Sequence, residues 1–293
     1  MIRGLDNPRV FTAMMGAPCG DIIGSVYEWH NIKYKPDKNA LLAPEARFTD
    51  DTVMTCAVAA GLSKGLAAIE GRSVFEKDAE RVLFASVRDS MLEFGRRFPY
   101  AGYGGNFYEW LKSPDPEPYG SFGNGAAMRA SYAGWVAKSL EEAEKLGEIS
   151  ASVTHDHPEG LKAASVIAGC IYLLAHGEGK ESVREYAGSY YDLGFTLDEI
   201  RADYRFDVTC MGSVPQAINA FLEGEDFADV IALAVSIGGD SDTIGAIAGS
   251  LAEALYPIPQ KLRGMVIDKM DPYLLDAVSD AVDFMHRRFG QRE

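Results

Sequence analysis

The chain has 293 residues, 28 Lys and Arg against 43 Asp and Glu, a formal net charge of -15 and 47% hydrophobic side chains. This is a globular composition, which excludes a disordered chain, and its acidic excess repels polyphosphate, which argues against nucleic acid as a polymer ligand. The opening MIRGLDNPRV lacks a signal-peptide core, and the longest apolar run, 163–175, would span only about 20 Å as a helix, so a cytoplasmic protein with no membrane role is expected.

In chain order, Gly16, Gly20 and Gly24 recur every fourth residue, which on a helix makes one smooth face for close packing against a second helix. Glu28 follows near the end of that helix, where its charge opposes the dipole, so it reads equally as a solvated surface acid or a working carboxylate. Phe48-Thr49-Asp50-Asp51-Thr52 stands directly ahead of a helical stripe of Val53, Met54, Ala57, Val58, Gly61 and Leu62. Another stripe runs over 75–95. The segment 102–125, GYGGNFYEWLKSPDPEPYGSFGNG, is irregular, and its glycines and aromatic pairs predict an ordered loop approaching a ligand.

Helical stripes continue at 126–137, 160–176, 214–222 and 227–237. Gly238-Gly239-Asp240-Ser241-Asp242-Thr243 then precedes the stripe of Ile244, Ile247, Ala248, Leu251 and Leu255, and a last stripe covers 273–288. Period-2 strands are missing, so a compact all-α fold is predicted, as a single domain over 1–293. Cys19, Cys56, Cys170 and Cys210 are far apart with no C-x-x-C pair and read as reduced core thiols.

The two acidic clusters share a design, each placing paired carboxylates and hydroxyls at a helix N-terminus. Capping explains one carboxylate per helix, not two. If the clusters meet, each close pair of like charges repels by about 4 kcal/mol at 4 Å with an effective dielectric near 20. Neither cluster contains Lys or Arg, whereas Asp and Thr oxygens are the hard ligands that Mg²⁺, Mn²⁺ or Ca²⁺ prefers. A magnesium-type site is therefore expected. Ser121-Phe122-Gly123-Asn124-Gly125 opens a helix and suits a phosphate or diphosphate. Of Thr154-His155-Asp156-His157-Pro158, a histidine that hydrogen-bonds in a pocket, or that precedes the helix beginning near Glu159, is expected rather than zinc, since no second Cys or His cluster accompanies it.

Together GAPCGDIIGSVYE, FTDDT, GSFGNGAAMR, SVTH and SIGGDSDTIGAIAG resemble, in order and spacing, the ADP-ribosylglycohydrolase family over residues 14–256. The resemblance implies an orthogonal helical bundle with a cleft holding two divalent cations, Mg²⁺ or Mn²⁺. It implies Thr49, Asp50, Asp51, Asp240, Asp242 and Thr243 as metal ligands, with Glu28, Asp50, Asp51 and Asp240 as the candidate catalytic acids. It further implies that Gly102, Gly104, Gly105, Gly120, Ser121, Phe122, Gly123, Asn124, Gly125, Met128 and His155 bind substrate. Against the family pattern, Phe122 stands where a Tyr is frequent in relatives, and SPDPEP at 113–118 reads as an insertion expected to reshape the cleft rim.

The implied substrate is ADP-ribose joined through its distal ribose to a protein side chain, arginine foremost, or to a small acceptor; the sequence leaves the oligomeric state open, with a monomer favoured. Two alternatives stand beside this reading, the first from chemistry alone and the second from the same fold. A prenyl-transferase-type enzyme would use aspartate-rich helices, but position 54 is Met, so D-D-x-x-D is incomplete. A non-catalytic ADP-ribose binder would keep the fold without turnover.

Overall fold

The computed structural model describes residues 13–290, so the MIRGLDNPRV start lies outside the described residues. Among these the chain forms α1 (Gly16–Gly24), α2 (Asp50–Ala68), α3 (Lys77–Arg97), α4 (Gly105–Lys112), α5 (Gly125–Met128), α6 (Ser131–Val136), α7 (Leu140–Ser152) and α8 (Pro158–Ala175). It continues with α9 (Lys180–Gly188), α10 (Leu197–Ile200), α11 (Cys210–Glu223), α12 (Phe227–Ser236), α13 (Ser241–Leu255), α14 (Gln260–Ile267) and α15 (Pro272–Phe289). No strand occurs among the described residues; only an isolated bridge joins Gly123 to Thr209. The all-α expectation holds.

The predicted stripes fall on α2, α3, α8, α11, α12, α13 and α15. Two readings need correction. The 126–137 stripe is two short helices, because Arg129 and Ala130 break it between α5 and α6. The 102–125 loop contains α4, whose Phe107, Trp110 and Leu111 are buried at helical spacing, with Phe107 stacked on Trp110 at 5.3 Å between ring centres. One hydrophobic cluster extends from Ala13 to Met285. All four cysteines are buried and unpaired. Helix α8 is long and apolar enough to cross a bilayer, and here it packs against α6, α7 and α13.

Helices α1 and α13 set the geometry of the centre. Gly16, Gly20 and Gly24 face Gly249, Gly245 and Ser241, and the two backbones touch: a Cβ on Gly20 would lie 1.9 Å from the Gly245 carbonyl oxygen. The smooth face predicted for the glycines is thus used in full. Helix α1 has no side-chain cap of its own. The buried Glu253 of α13 serves instead, accepting from the Met15 and Gly16 N-H groups at 3.0 and 2.9 Å, at the positive end of the helix where a carboxylate is favoured. The contact runs the length of α1 and ends at the N-terminus of α13, next to the start of α2. Gly20→Ala forces this pair apart and is expected to lower stability by about 3 kcal/mol, seen as a reduced urea midpoint at unchanged slope.

Candidate active site

Three helices converge. Asp21 comes from the middle of α1, Thr49 to Thr52 from the N-terminus of α2, and Asp240 to Thr243 from the N-terminus of α13. The chain reaches α13 through Gly238 and Gly239, both at positive φ (67° and 75°), where a side chain would be strained. A Cβ on Gly239 would also meet the Tyr204 ring at 2.5 Å. This turn is what points Asp240 and Asp242 inward.

Carboxylate oxygens of Asp21, Asp51 and Asp242 lie within 4.8 Å of one another, and so do those of Glu28, Asp240 and Asp242. The two triads share Asp242. Thr243 donates its hydroxyl to Asp51 Oδ2 at 3.1 Å. Thr49 has one hydroxyl proton, and the short contact to Asp21 Oδ1 at 2.6 Å takes it rather than the 3.4 Å contact to Asp51. The Thr49 and Thr243 oxygens keep lone pairs for a cation. Asp50 lines the cleft, with Gly102 beside its Oδ1.

Burial, then the charge of Asp242, pushes the Asp50 carboxyl up to about 8 and Glu28 to about 7. Burial alone is the main cause for Asp240, at about 6, and burial also drives Asp51 and Asp242 well above the usual range. No ion pair among the described residues involves any member of the triads. Asp51 Oδ1 is buried with no hydrogen-bond partner. An orphaned carboxylate oxygen amid like charges fits a divalent cation, which would satisfy it and offset the repulsion.

The raised values fix a pH dependence. Glu28, Asp50 and Asp240 hold their protons to higher pH folded than unfolded, where carboxylates titrate near 4. Their favourable contribution is complete below about pH 4 and fades as pH rises through about 6 to 8. Chelator-treated protein is expected to melt lower at pH 8.5 than at pH 5.5. Mg²⁺ or Mn²⁺ at 100 times its Kd should reverse the loss, adding about 2.7 kcal/mol and raising Tm by about 5–10 °C. Calorimetric melts at both pH values check this.

A cleft of about 640 Å³ opens over the carboxylates. Its walls include Gly102, Gly104, Gly105, Ser121, Gly123, Asn124, Gly125, Met128 and His155 as predicted. Gly120 and Phe122 are not among its lining residues: the Gly120 N-H donates to Asp156 at 2.6 Å, and Phe122 is 45% exposed with its ring against His157. The Gly123 and Asn124 N-H groups are also engaged, by Ser121 Oγ and the Val208 carbonyl. The backbone cradle expected of this loop is therefore largely spent on folding the loop. Asn124 instead reaches across the site, donating to Asp240 Oδ2 at 2.6 Å and to Ser213 Oγ at 2.9 Å. His157 is the N-cap of α8 and accepts from the Glu159 N-H, while His155 lies in the cleft wall.

Sequence reasoning missed Asp21, Arg129, Trp29 and Phe206. Asp21 is fully buried at the carboxylate centre. Arg129, also buried, lines the cleft, and Trp29 stacks on Phe206 in its wall. A single acid inside the small, apolar run Gly16–Gly24 was the available signal for the first.

A model of the ADP-ribosylglycohydrolase family matches residues 5–290. The chain belongs to this family. The ADP-ribosylglycohydrolase fold accounts for the all-helical architecture, and membership makes the protein an enzyme of the glycosidic-bond hydrolase class. The chain is 24% identical to mouse ADP-ribosylhydrolase ARH3, over 84% of this chain and 83% of that protein. It is 25% identical to the ADP-ribosyl-[dinitrogen reductase] glycohydrolase of Rhodospirillum rubrum, over 90% and 91%. A solved structure described as an ADP-ribosylglycohydrolase-related protein complex shares the fold with a TM-score of 0.67 at 22% identity, covering 96% of this chain and 97% of that one. The prenyl-transferase-type alternative falls with this assignment.

Proposed function

We propose that this protein is a single-domain, cytoplasmic hydrolase that cleaves the bond between the anomeric carbon of ADP-ribose and a protein side chain, arginine foremost, or a small acceptor. The observation that carries the reading is the pair of carboxylate triads sharing Asp242 at the base of one cleft. Two divalent cations, Mg²⁺ or Mn²⁺, held by Asp21, Asp51 and Asp242 and by Glu28, Asp240 and Asp242, would supply charge to bind sugar hydroxyls and to acidify water.

The chain's own groups supply the rest. Glu28 is half-buried in the cleft wall beside the Asp240 and Asp242 carboxylates, where its carboxylate could take a proton from water and return it to the leaving group. The surrounding carboxylates stabilise positive charge developing on the sugar ring. A protonated guanidinium leaving group is also attracted by this acidic wall, which favours an arginine acceptor over a neutral one. Arg129 and His155 also line the cleft and would meet the diphosphate of the ligand.

A panel of ADP-ribosylated arginine, serine and small-molecule substrates, assayed with chelator, Mg²⁺ or Mn²⁺, tests the proposal. Release of free ADP-ribose only when a cation is supplied is the expected result, fastest from arginine. Full activity in chelator would overturn the metal assignment, and saturable ADP-ribose binding without turnover of any substrate would favour the non-catalytic binder.

A further inference from the structure

Arg129 is 1% exposed, none of the ion pairs among the described residues includes it, and its Nε has no hydrogen-bond partner. Burying a cation without a counter-ion is unfavourable by several kcal/mol, so its presence in the wall of the cleft calls for a role. The hydrogen bonds around it are specific. Nη2 donates to Thr154 Oγ1 at 2.8 Å and to the Ser150 carbonyl at 3.4 Å. Thr154 Oγ1 lies 2.7 Å from His155 Nδ1, and Arg129 Nη2 itself lies 3.5 Å from that same nitrogen.

Guanidinium can only donate, whereas a hydroxyl has one proton to give. With Arg129 donating to Thr154 Oγ1, the Thr154 proton is free to point at His155 Nδ1. A proton on Nδ1 would set it against the Arg129 N-H and its positive charge. Nδ1 is therefore the acceptor, and the ring proton sits on Nε2. The Nε2 side faces the turn that opens α5: a Cβ on Gly123 or Gly125 would lie 3.4 or 3.3 Å from it. A side chain at either position would crowd this nitrogen, which lies in the cleft wall.

We infer that Arg129 and Thr154 are positioning residues that hold His155 in its neutral, Nε2-protonated form, so that a fixed N-H donor with a buried cation behind it meets the anionic portion of the ligand. The inference rests on the functional reading above, which makes that ligand ADP-ribose. Burial, then the Arg129 charge, lowers the His155 pKa well below the usual histidine value, which keeps the ring neutral. Burial brings Arg129 down to about 10, still charged at neutral pH. The cleft is thus polarised, with carboxylates where a sugar would react and a cation with a donor where a diphosphate would lie.

The test combines a spectroscopic and a binding readout. Long-range ¹H–¹⁵N spectra of labelled protein, with His155 assigned by its loss in His155→Gln, should show the Nε2-H form. Thr154→Val removes the hydroxyl at nearly constant shape, and Arg129→Gln removes the charge; each should admit the Nδ1-H form and weaken ADP-ribose binding about tenfold, the equivalent of about 1.4 kcal/mol. Thr154→Ser should restore both readouts. An Nδ1-H or imidazolium ring in the unmodified protein at pH 7 would overturn the inference, as would Thr154→Val with unchanged spectrum and affinity. Should Arg129→Gln fail to fold, the Thr154 pair decides alone. Failure of the unmodified protein to bind ADP-ribose would sink the functional reading instead, and the spectra would still decide whether Arg129 and Thr154 fix the ring.

Discussion

Asp51→Asn should reduce hydrolysis by about 10³-fold or more while making the metal-free protein more stable at pH 8. The two effects come from the same atoms. Asp51 Oδ1 is buried and unpartnered, and burial together with the charges of Asp242, Asp21, Asp50 and Asp240 disfavours its ionised form. Asparagine keeps one oxygen to accept the Thr243 hydroxyl and replaces the orphan with an N-H₂ that can donate to neighbouring carboxylates. Repulsion falls and an unsatisfied atom is satisfied, so the metal-free fold gains. The same substitution removes an anionic ligand from the Asp21, Asp51 and Asp242 triad, so the rise in Tm on adding Mg²⁺ or Mn²⁺ should shrink or vanish. Turnover and paired melts, with chelator and with cation, separate the two terms. A less stable metal-free variant with normal activity would show that Asp51 is there to build the fold.

What the sequence discloses depends on the distance over which each feature is satisfied. Long apolar stripes such as those of α2, α3 and α13 are legible because their burial follows from a period of three to four residues. The break at Arg129 is not. That residue leaves the helical register to put its guanidinium beside Thr154, 25 positions away. Helix α4 hides among glycines, and its Leu111 finds room only because α3 offers Gly95, where a Cβ would lie 2.4 Å from the Leu111 side chain. The acidic clusters stood out because doubled carboxylates exceed what a cap requires, whereas Asp21 is a single acid in a run read for its glycines. Glu28 looked equally like a surface residue, and only its proximity to Asp240 and Asp242 distinguishes it.

Asp21→Ala should destabilise the protein by about 4 kcal/mol and abolish activity, the largest structural effect expected of any site residue. Asp21 is both ligand and scaffold. Its Oδ2 accepts the Thr49 and Thr52 N-H groups at 2.9 and 3.0 Å and the Thr52 hydroxyl, and its Oδ1 accepts the Thr49 hydroxyl. The first turn of α2 leaves N-H groups without intrahelical partners, and Asp21 satisfies one of them, together with the N-H of the capping residue, from another helix. Alanine strands two backbone donors and two hydroxyls in the interior, each orphaned backbone donor being unfavourable by about 1–3 kcal/mol. Asp21→Asn keeps an acceptor for the N-H groups and should lose only about 1–2 kcal/mol, yet it removes the charge that Asp51 and Asp242 share. Urea unfolding should therefore rank the variants unmodified, Asn, Ala, while activity and cation-induced stabilisation are lost in both. Hydrogen exchange at Thr49 and Thr52 gives the local readout, with protection kept in the Asn variant and lost in the Ala variant. Equal stability of the Ala and Asn variants would mean that the hydrogen bonds to α2 contribute nothing, and normal turnover in Asp21→Asn would remove Asp21 from the metal centre.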